Sequence, residues 1–379
     1  MRGTWWMGVA LIGVMATACV EESKAPEAEA SRPEDELTKG EVAEATQLGK
    51  ADFSLDVCER RGWYGDGVCD WFCFQPDPDC ELPPLGPEPS GESTRHPIVL
   101  THGFDASPTN RWGFYGVAEA LEADGHTVFV ATVPPYDTPE NRAMHLADAV
   151  DEALERSGAA KVNLIAHSMG GLDSRVLISG MGYGDRVASL TTISSPHGGT
   201  AVADVALKLI PGAADEAINA LATLWGKTYS EVAEDSDLRG ALAALAEASA
   251  PAFNADYPDD PAVYYQSWAG VSSVFGIHNP KDDRACEGRT LAHPNGGADR
   301  MHATLAPMAA MTAHGLELRP NDGMATVESA KHGVFRGCIP ADHLDEVGQP
   351  RHDGADPHTG FDHRRFYRNV AFELTELGF

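Results

Sequence analysis

Apolar and polar positions follow two different rhythms along this chain. From His96 onward, continuous apolar runs alternate with stretches of helical period. HPIVLTHG, HTVFVATV, KVNLIAH and VASLTTISS read as strands buried on both faces, because none shows the two-residue alternation of a half-exposed strand. Between them, Trp112 to Ala123 and Asn141 to Ser157 read as helices. In the second, Ala143, Leu146, Val150 and Leu154 share one face. Strand, helix, strand, helix predicts an α/β fold, with a mostly parallel central sheet covered by helices on both faces.

Before His96 the pattern breaks down. Arg2 precedes an apolar run, Trp5 to Ala16, that is too short to span a bilayer. Ala16-Thr17-Ala18 then fits a small-residue cleavage site, so residues 1–18 read as a signal peptide and the protein as exported. Cys19 directly after it resembles a bacterial lipoprotein site, where that cysteine carries a lipid. Plain secretion would cleave at the same place, so the expected location is extracellular or outer-membrane lipoprotein. Residues 19–55 are rich in Glu, Ala, Ser and Pro without apolar period, and read as a disordered acidic tether. Residues 56–81 form a small cysteine-rich module with Cys58, Cys69, Cys73 and Cys80. Export favours disulfides, and four cysteines allow three connectivities. The GDGVCD and PDPDC spacing resembles the small calcium-binding repeats of Notch-type receptors, with Asp66, Asp70, Asp77 and Asp79 as oxygen ligands. A disulfide-stapled knob without metal is the plainer reading. Residues 82–94 are a Pro/Gly linker, and 95–379 form the main domain.

Charge narrows the partners. A formal net charge of -29 repels phosphate backbones and gives no pull toward anionic membranes, so no nucleic acid is expected.

Ser168 carries the chemistry. It stands in VNLIAHSMGGLDSRVL, where an apolar strand meets a helical pattern. Ala166 and Gly170 are small, as a tight strand-to-helix turn demands, and such a turn projects a serine hydroxyl at the sheet's carboxyl edge. A serine needs a base, an orienting acid and an oxyanion hole, and in this arrangement the chain order is Ser, acid, His. Among 15 histidines, His102, His167 and His197 fall in the wrong order. Asp322, in an Asn-Asp-Gly turn after a short predicted strand, fits the acid. His343 fits the base, with His332 as the alternative. His352, His358 and His363 read as surface or packing residues.

At this point the chain resembles the bacterial triacylglycerol lipases of the true-lipase group found in Pseudomonas and Burkholderia, members of the α/β-hydrolase superfamily. The resemblance runs from about His96 to the C-terminus. It rests on HG after the first strand, WGFYGVAEAL, KVNLIAHSMGG, SSPHGGTAVAD, FNADYP, NDG and HLDEVGQ, in the family's order. It implies an α/β-hydrolase fold, with Ser168 as nucleophile, Asp322 as acid and His343 as base. It places the oxyanion hole at the backbone N–H groups of Phe104 and Met169. It also implies a structural Ca²⁺ held by the carboxylate of Asp345 and the backbone carbonyls of Gln349 and Asp353, with Asp299 as the second carboxylate. A Cys286–Cys338 disulfide follows from the same resemblance. The reaction implied is ester hydrolysis through an acyl-enzyme, without organic cofactor.

Expected partners are a lipid or ester substrate at an oil–water interface, with a folding chaperone and a lipid anchor as further candidates. Two rival substrates share the scissile bond: short soluble esters, and an extracellular polyester such as polyhydroxyalkanoate. A non-catalytic surface binding protein is a third alternative, against which the complete Ser/Asp/His set argues. Finally, residues 200–253 read as a helical insertion at the carboxyl edge. In GAADEAINALATLWGK, Ala214, Ala217, Ile218, Leu221 and Trp225 line one side. This is either an amphipathic helix packed permanently on the core or a lid over the acyl pocket.

Overall fold

The computed structural model describes residues 37–47, 82–105, 113–207, 237–293, 296–349 and 353–379, together with 56–79 apart from 69, 71, 74–76 and 78. The segment read as a signal peptide, Cys19, Cys69, Cys80 and Trp225 lie outside these residues.

Two short helices, α1 (Lys39–Gln47) and α2 (Val57–Arg61), precede the main domain. Its elements follow as β1 (Ile98–Thr101), α3 (Val117–Ala123), β2 (Val128–Val130), α4 (Pro139–Ser157), β3 (Val162–His167), α5 (Gly170–Arg175), β4 (Val187–Ile193) and α6 (Ala201–Ala206). Then come α7 (Leu238–Leu245), α8 (Ala250–Asp256), β5 (Tyr264–Gly270), α9 (Ala306–Thr312), β6 (Val334–Ile339) and α10 (His363–Glu376). The six strands form one sheet in the order β2-β1-β3-β4-β5-β6, and every pair is parallel. All carboxyl ends therefore share one edge, where ligands bind in open α/β sheets.

β1, β3 and β4 have no exposed position, as their continuous apolar runs suggested, but β2 departs from that expectation: it is an edge strand, with Val128 and Phe129 half-buried and Val130 exposed. Ile98, Leu100 and Ile165 face a core closed by α3 and α10, with Val117, Leu121, Phe366 and Val370. Val99 and Leu164 face the opposite core with Ala143, Leu146 and Val150 of α4. Helix α4 starts where Thr138 caps the amide of Asn141 and Pro139 presets the first turn. It stops at Gly158, whose φ of 70° suits a residue without Cβ. Helix α3 starts later than the expected Trp112, because Gly116 turns the chain with a φ of 67°.

The N-terminal segments depart from a plain tether and linker. Lys39–Gln47 is helical, and Val42 packs on Val57, Cys58, Trp63, Phe72 and Cys73. Cys58 is bonded to Cys73. The Lys39 ammonium lies 2.6 Å from Asp66 and also pairs with Asp70. Asp77 accepts backbone N–H groups of Gly65, Asp70 and Asp79. The Pro/Gly segment is strapped onto the main domain: Leu85 N donates to Gly360 O at 2.8 Å, Arg365 reaches the carbonyls of Gly86 and Pro87, and Arg95 N donates to Phe379 O.

Between β5 and β6 the chain makes a long excursion, 271–333, from the carboxyl edge. The Cys286–Cys338 bond ties it to β6.

Candidate active site

Ser168 follows β3 with a φ of 56°, in the left-handed region that a side chain adopts only under tertiary constraint. Its amide donates to Ile193 O at 2.9 Å, which pins the turn to β4. The small neighbours are required by space. A Cβ on Gly170 would lie 2.6 Å from Thr101 O, and one on Gly171 would lie 2.2 Å from Ser195 Oγ. A Cβ on Gly103 would lie 2.8 Å from the Ser168 Cβ. The serine is thereby held against the β1 loop.

Two further residues converge on it. His343 Nε2 lies 2.8 Å from Ser168 Oγ, and His343 Nδ1 lies 2.7 Å from Asp322 Oδ2. Asp322 is fully buried, and its Oδ1 accepts the amides of Met324 and Ala325, both at 2.7 Å. Gly323, with a φ of 98°, closes that turn. No strand leads directly into Asp322 among the described residues: Asn321 makes only a single bridge to Thr326, so the expected short strand is replaced by the end of the excursion. Burial pushes the His343 imidazole toward its neutral form. The Asp322 carboxylate opposes this and prevails, leaving the pKa above the ordinary 6.5. His332 does not approach the serine. It bonds Asp259 at 2.8 Å and stacks on His197. His363 Nε2 bonds Tyr115 O at 2.7 Å.

Glu346 escaped the sequence reading. Its carboxyl is buried, 2.9 Å from His167 Nε2, and its Oε1 accepts the Ser194 hydroxyl at 2.6 Å. It lies 3.8 Å from His343 Nδ1. Burial, and then the nearby Asp322, hold it well above the usual carboxyl range. A Cβ on Gly270 would collide with it at 2.0 Å. Only its position three residues past His343 could have drawn notice.

Arg142 was also missed, because an arginine in the first turn of a helix reads as surface. Its side chain is completely buried. It donates to His102 O at 3.0 Å, Gly103 O at 2.9 Å and Pro134 O at 2.7 Å, and its Nε meets Asp173 Oδ2 at 2.8 Å. Burial lifts Asp173 to about 7 against the pull of Arg142. The arginine thus anchors the loop that carries Phe104. Phe104 lies edge-on to Tyr136, with ring centroids 5.1 Å apart, and Met169 is buried directly after the serine.

These groups open into a cavity of about 740 Å³, its mouth included. Beyond Ser168 and His343, its wall is largely apolar. Val202 and Ala203 come from α6, Leu242 and Leu245 from α7, and Leu305 and Met324 from the excursion. The two flanks of the expected insertion thus line the pocket, while residues 208–236 lie outside the described set.

Behind His343, carboxylate oxygens of Asp299, Asp342 and Asp345 fall within 4.8 Å of one another. Asp342 was not foreseen. Its Oδ1 accepts the amides of Leu344 and Asp345, and its Oδ2 that of His302. Asp299 Oδ2 is buried without a hydrogen-bond partner. Burial raises all three carboxyls, and the like charges add to it for Asp299 and Asp345. A hard divalent cation would neutralise such a set, so the residues fit Ca²⁺. The Gln349 side chain is engaged elsewhere, donating to Gly113 O, and the Asp353 carboxylate accepts the Tyr115 hydroxyl at 3.1 Å.

Comparison with known proteins agrees with this geometry. The sequence profile of the α/β-hydrolase fold matches residues 96–288. The chain is 32% identical over 278 residues to a triacylglycerol lipase of Vibrio cholerae, covering 67% of this chain and 80% of that protein. It is 31% identical over 278 residues to a triacylglycerol lipase of Pseudomonas fragi, covering 67% and 88%. A metagenomic carboxyl esterase shares the fold at a TM-score of 0.53 and 16% identity, over 88% of this chain and 91% of that one. The Staphylococcus hyicus lipase does so at 0.50 and 18%, over 76% and 98%. The chain belongs to the α/β-hydrolase family. Within it, the protein is a serine-type carboxylic ester hydrolase of the bacterial lipase group.

Proposed function

We propose that this enzyme hydrolyses acylglycerol esters with Ser168 as nucleophile, His343 as base and Asp322 as the acid that orients the base. One observation carries the reading: His343 bridges Ser168 at 2.8 Å and Asp322 at 2.7 Å at the mouth of an apolar pocket. An ionised carboxylate only accepts, so the imidazole proton sits on Nδ1 and the Nε2 lone pair faces the serine. His343 takes the serine proton as Oγ attacks the ester carbonyl. The Phe104 and Met169 amides receive the oxyanion. The same imidazole protonates the leaving alcohol and then activates the water that releases the acid.

Ca²⁺ in this reading is held by Asp299 and Asp345, with the backbone carbonyls of Gln349 and Asp353, and Asp342 beside them. It would supply fixed positive charge that holds the loop of His343. The residues themselves position the base. Export, with either lipidation at Cys19 or plain secretion, and a folding chaperone belong to the same proposal, resting on the sequence pattern and the lipase resemblance. The insertion containing Trp225 is assigned as a lid, supported by the placement of α6 and α7 on the pocket wall.

The test is the purified protein on emulsified triolein, tributyrin, a polyhydroxyalkanoate film and p-nitrophenyl butyrate. Triglyceride hydrolysis that rises when tributyrin forms droplets is expected, with Trp225→Asp impairing emulsified more than soluble substrate. Preference for the polyester film would move the assignment to a depolymerase. Equal loss on both substrates in Trp225→Asp would make that residue core.

A further inference from the structure

Four large apolar side chains stand in solvent on the excursion between β5 and β6. Leu316 is 100% exposed, Phe275 58%, Leu318 54% and Ile277 37%. They occupy two adjoining turns: Asn279 Nδ2 donates to Leu318 O at 2.8 Å, and Lys281 also reaches the Glu317 carbonyl. Phe275 sits in the turn closed by Gly276 N donating to Ser273 O at 3.2 Å. Leu316 lies in a single helical turn, Gly315–Glu317, between His314 and Leu318. Both of those residues have positive φ, 54° and 47°. Turn tips ordinarily take Gly, Asn or Asp, and bulky residues rarely adopt this backbone region. Here the strained backbone presents leucine to water, which marks a site that serves something other than folding.

The patch is joined by backbone hydrogen bonds to the segment that carries Asp322. Arg319 N donates to Ala313 O, and Ser272 N donates to Asn321 O beside the triad acid Asp322. Ser272 and Arg319 thus tie both turns to the segment that carries Asp322, on the excursion that leaves the carboxyl edge. Helix α9 runs from Leu305, in the cavity wall, to the Leu316 turn.

Resting on the lipase reading, we infer that these two turns are a lipid-docking edge that seats the enzyme on a neutral lipid surface with the pocket mouth facing it. Charge selects the occupant. At a net charge of -29 the protein is repelled by anionic bilayers, whereas an uncharged acylglycerol surface accepts apolar side chains without that penalty. Inserting Phe275 and Leu316 removes their apolar surface from water at no further folding cost, since both are already exposed.

The test compares the parent with Phe275→Asp/Leu316→Asp, with the milder Leu316→Ser, and with Met181→Asp. Met181 is exposed at the opposite edge of the sheet, before β4. Retention on triolein droplets coated with phosphatidylcholine is measured beside kcat/KM on soluble p-nitrophenyl butyrate. The expected result is a loss of retention on the order of a hundredfold in the double variant, from two buried side chains. A smaller loss in Leu316→Ser, none in Met181→Asp and unchanged soluble hydrolysis complete it. Retention equal to the parent, or an equal loss in Met181→Asp, overturns the inference. So does tighter binding of the parent to phosphatidylglycerol vesicles than to droplets, or a parent dimer that the double variant dissociates. Failure of the parent on p-nitrophenyl butyrate would instead remove the esterase reading, and droplet retention is read without it.

Discussion

Ser168 reaches His343 because its neighbours have no bulk. The turn brings its Oγ to His343 only while Gly103, Gly170 and Gly171 allow β1, β3 and β4 to crowd around it. Ser168→Ala keeps that geometry, since alanine is smaller, and removes the proposed nucleophile. We expect an unchanged melting curve and a fall in kcat on the order of 10⁴ or more, because triad members act as a unit. Near-parental turnover in folded protein would remove the assignment. Arg142 makes a different prediction. Arg142→Met strands Asp173 in the core and frees the His102 and Gly103 carbonyls. It should cost about 3–5 kcal/mol in urea unfolding and lower kcat more than it raises KM. Adding Asp173→Asn should restore most of the stability but not kcat. Recovery of both together would make Arg142 purely structural.

At the scale of elements, the turn after β4 is held by a buried basic cluster. His197 stacks on His332 at 4.3 Å and lies 3.5 Å from Arg175, which also donates to Asn254 and Tyr257, while Asp259 faces His332. Burial, then His332 and Arg175, push the His197 pKa well below 6.5. Folding therefore favours its neutral form. That contribution is complete above the ordinary value of 6.5 and is lost as pH falls from there through the lowered folded value. His197→Gln should flatten the fall in melting temperature across this acid range and leave the curve above it nearly parallel to the parent's. An acid limb as steep as the parent's would place the sensitivity elsewhere, with His102, lowered to about 4, the next candidate.

Across the whole molecule, Asp299 from the excursion and Asp342 and Asp345 from the loop after β6 meet behind His343. The proposed cation would join two segments that the sequence separates by more than forty residues. Chelation with EDTA should lower the melting temperature by roughly 5 °C by mass action, with Ca²⁺ restoring it. Asp345→Asn should abolish the response to both. A curve insensitive to EDTA and Ca²⁺ in the parent would count against the site.

Sequence alone determined the α/β order and singled out the serine turn, and with the lipase resemblance it pointed to the Asp322 and His343 that the fold brings to Ser168. These depend on local requirements: apolar runs for doubly buried strands, small residues for a tight turn, and a fixed chain order of Ser, acid and His. Tertiary structure decided what depends on contact between distant segments. Glu346 matters through Ser194 and His167, 152 and 179 residues away. Arg142 matters through carbonyls of the β1 loop, and Asp342 through Asp299. The helix at Lys39–Gln47 exists against Trp63 and Phe72, and the Pro/Gly segment is ordered by α10. None of these has a periodic or spacing signature, because a buried charge or a docked strap is specified by its partner and not by its own neighbours in the chain.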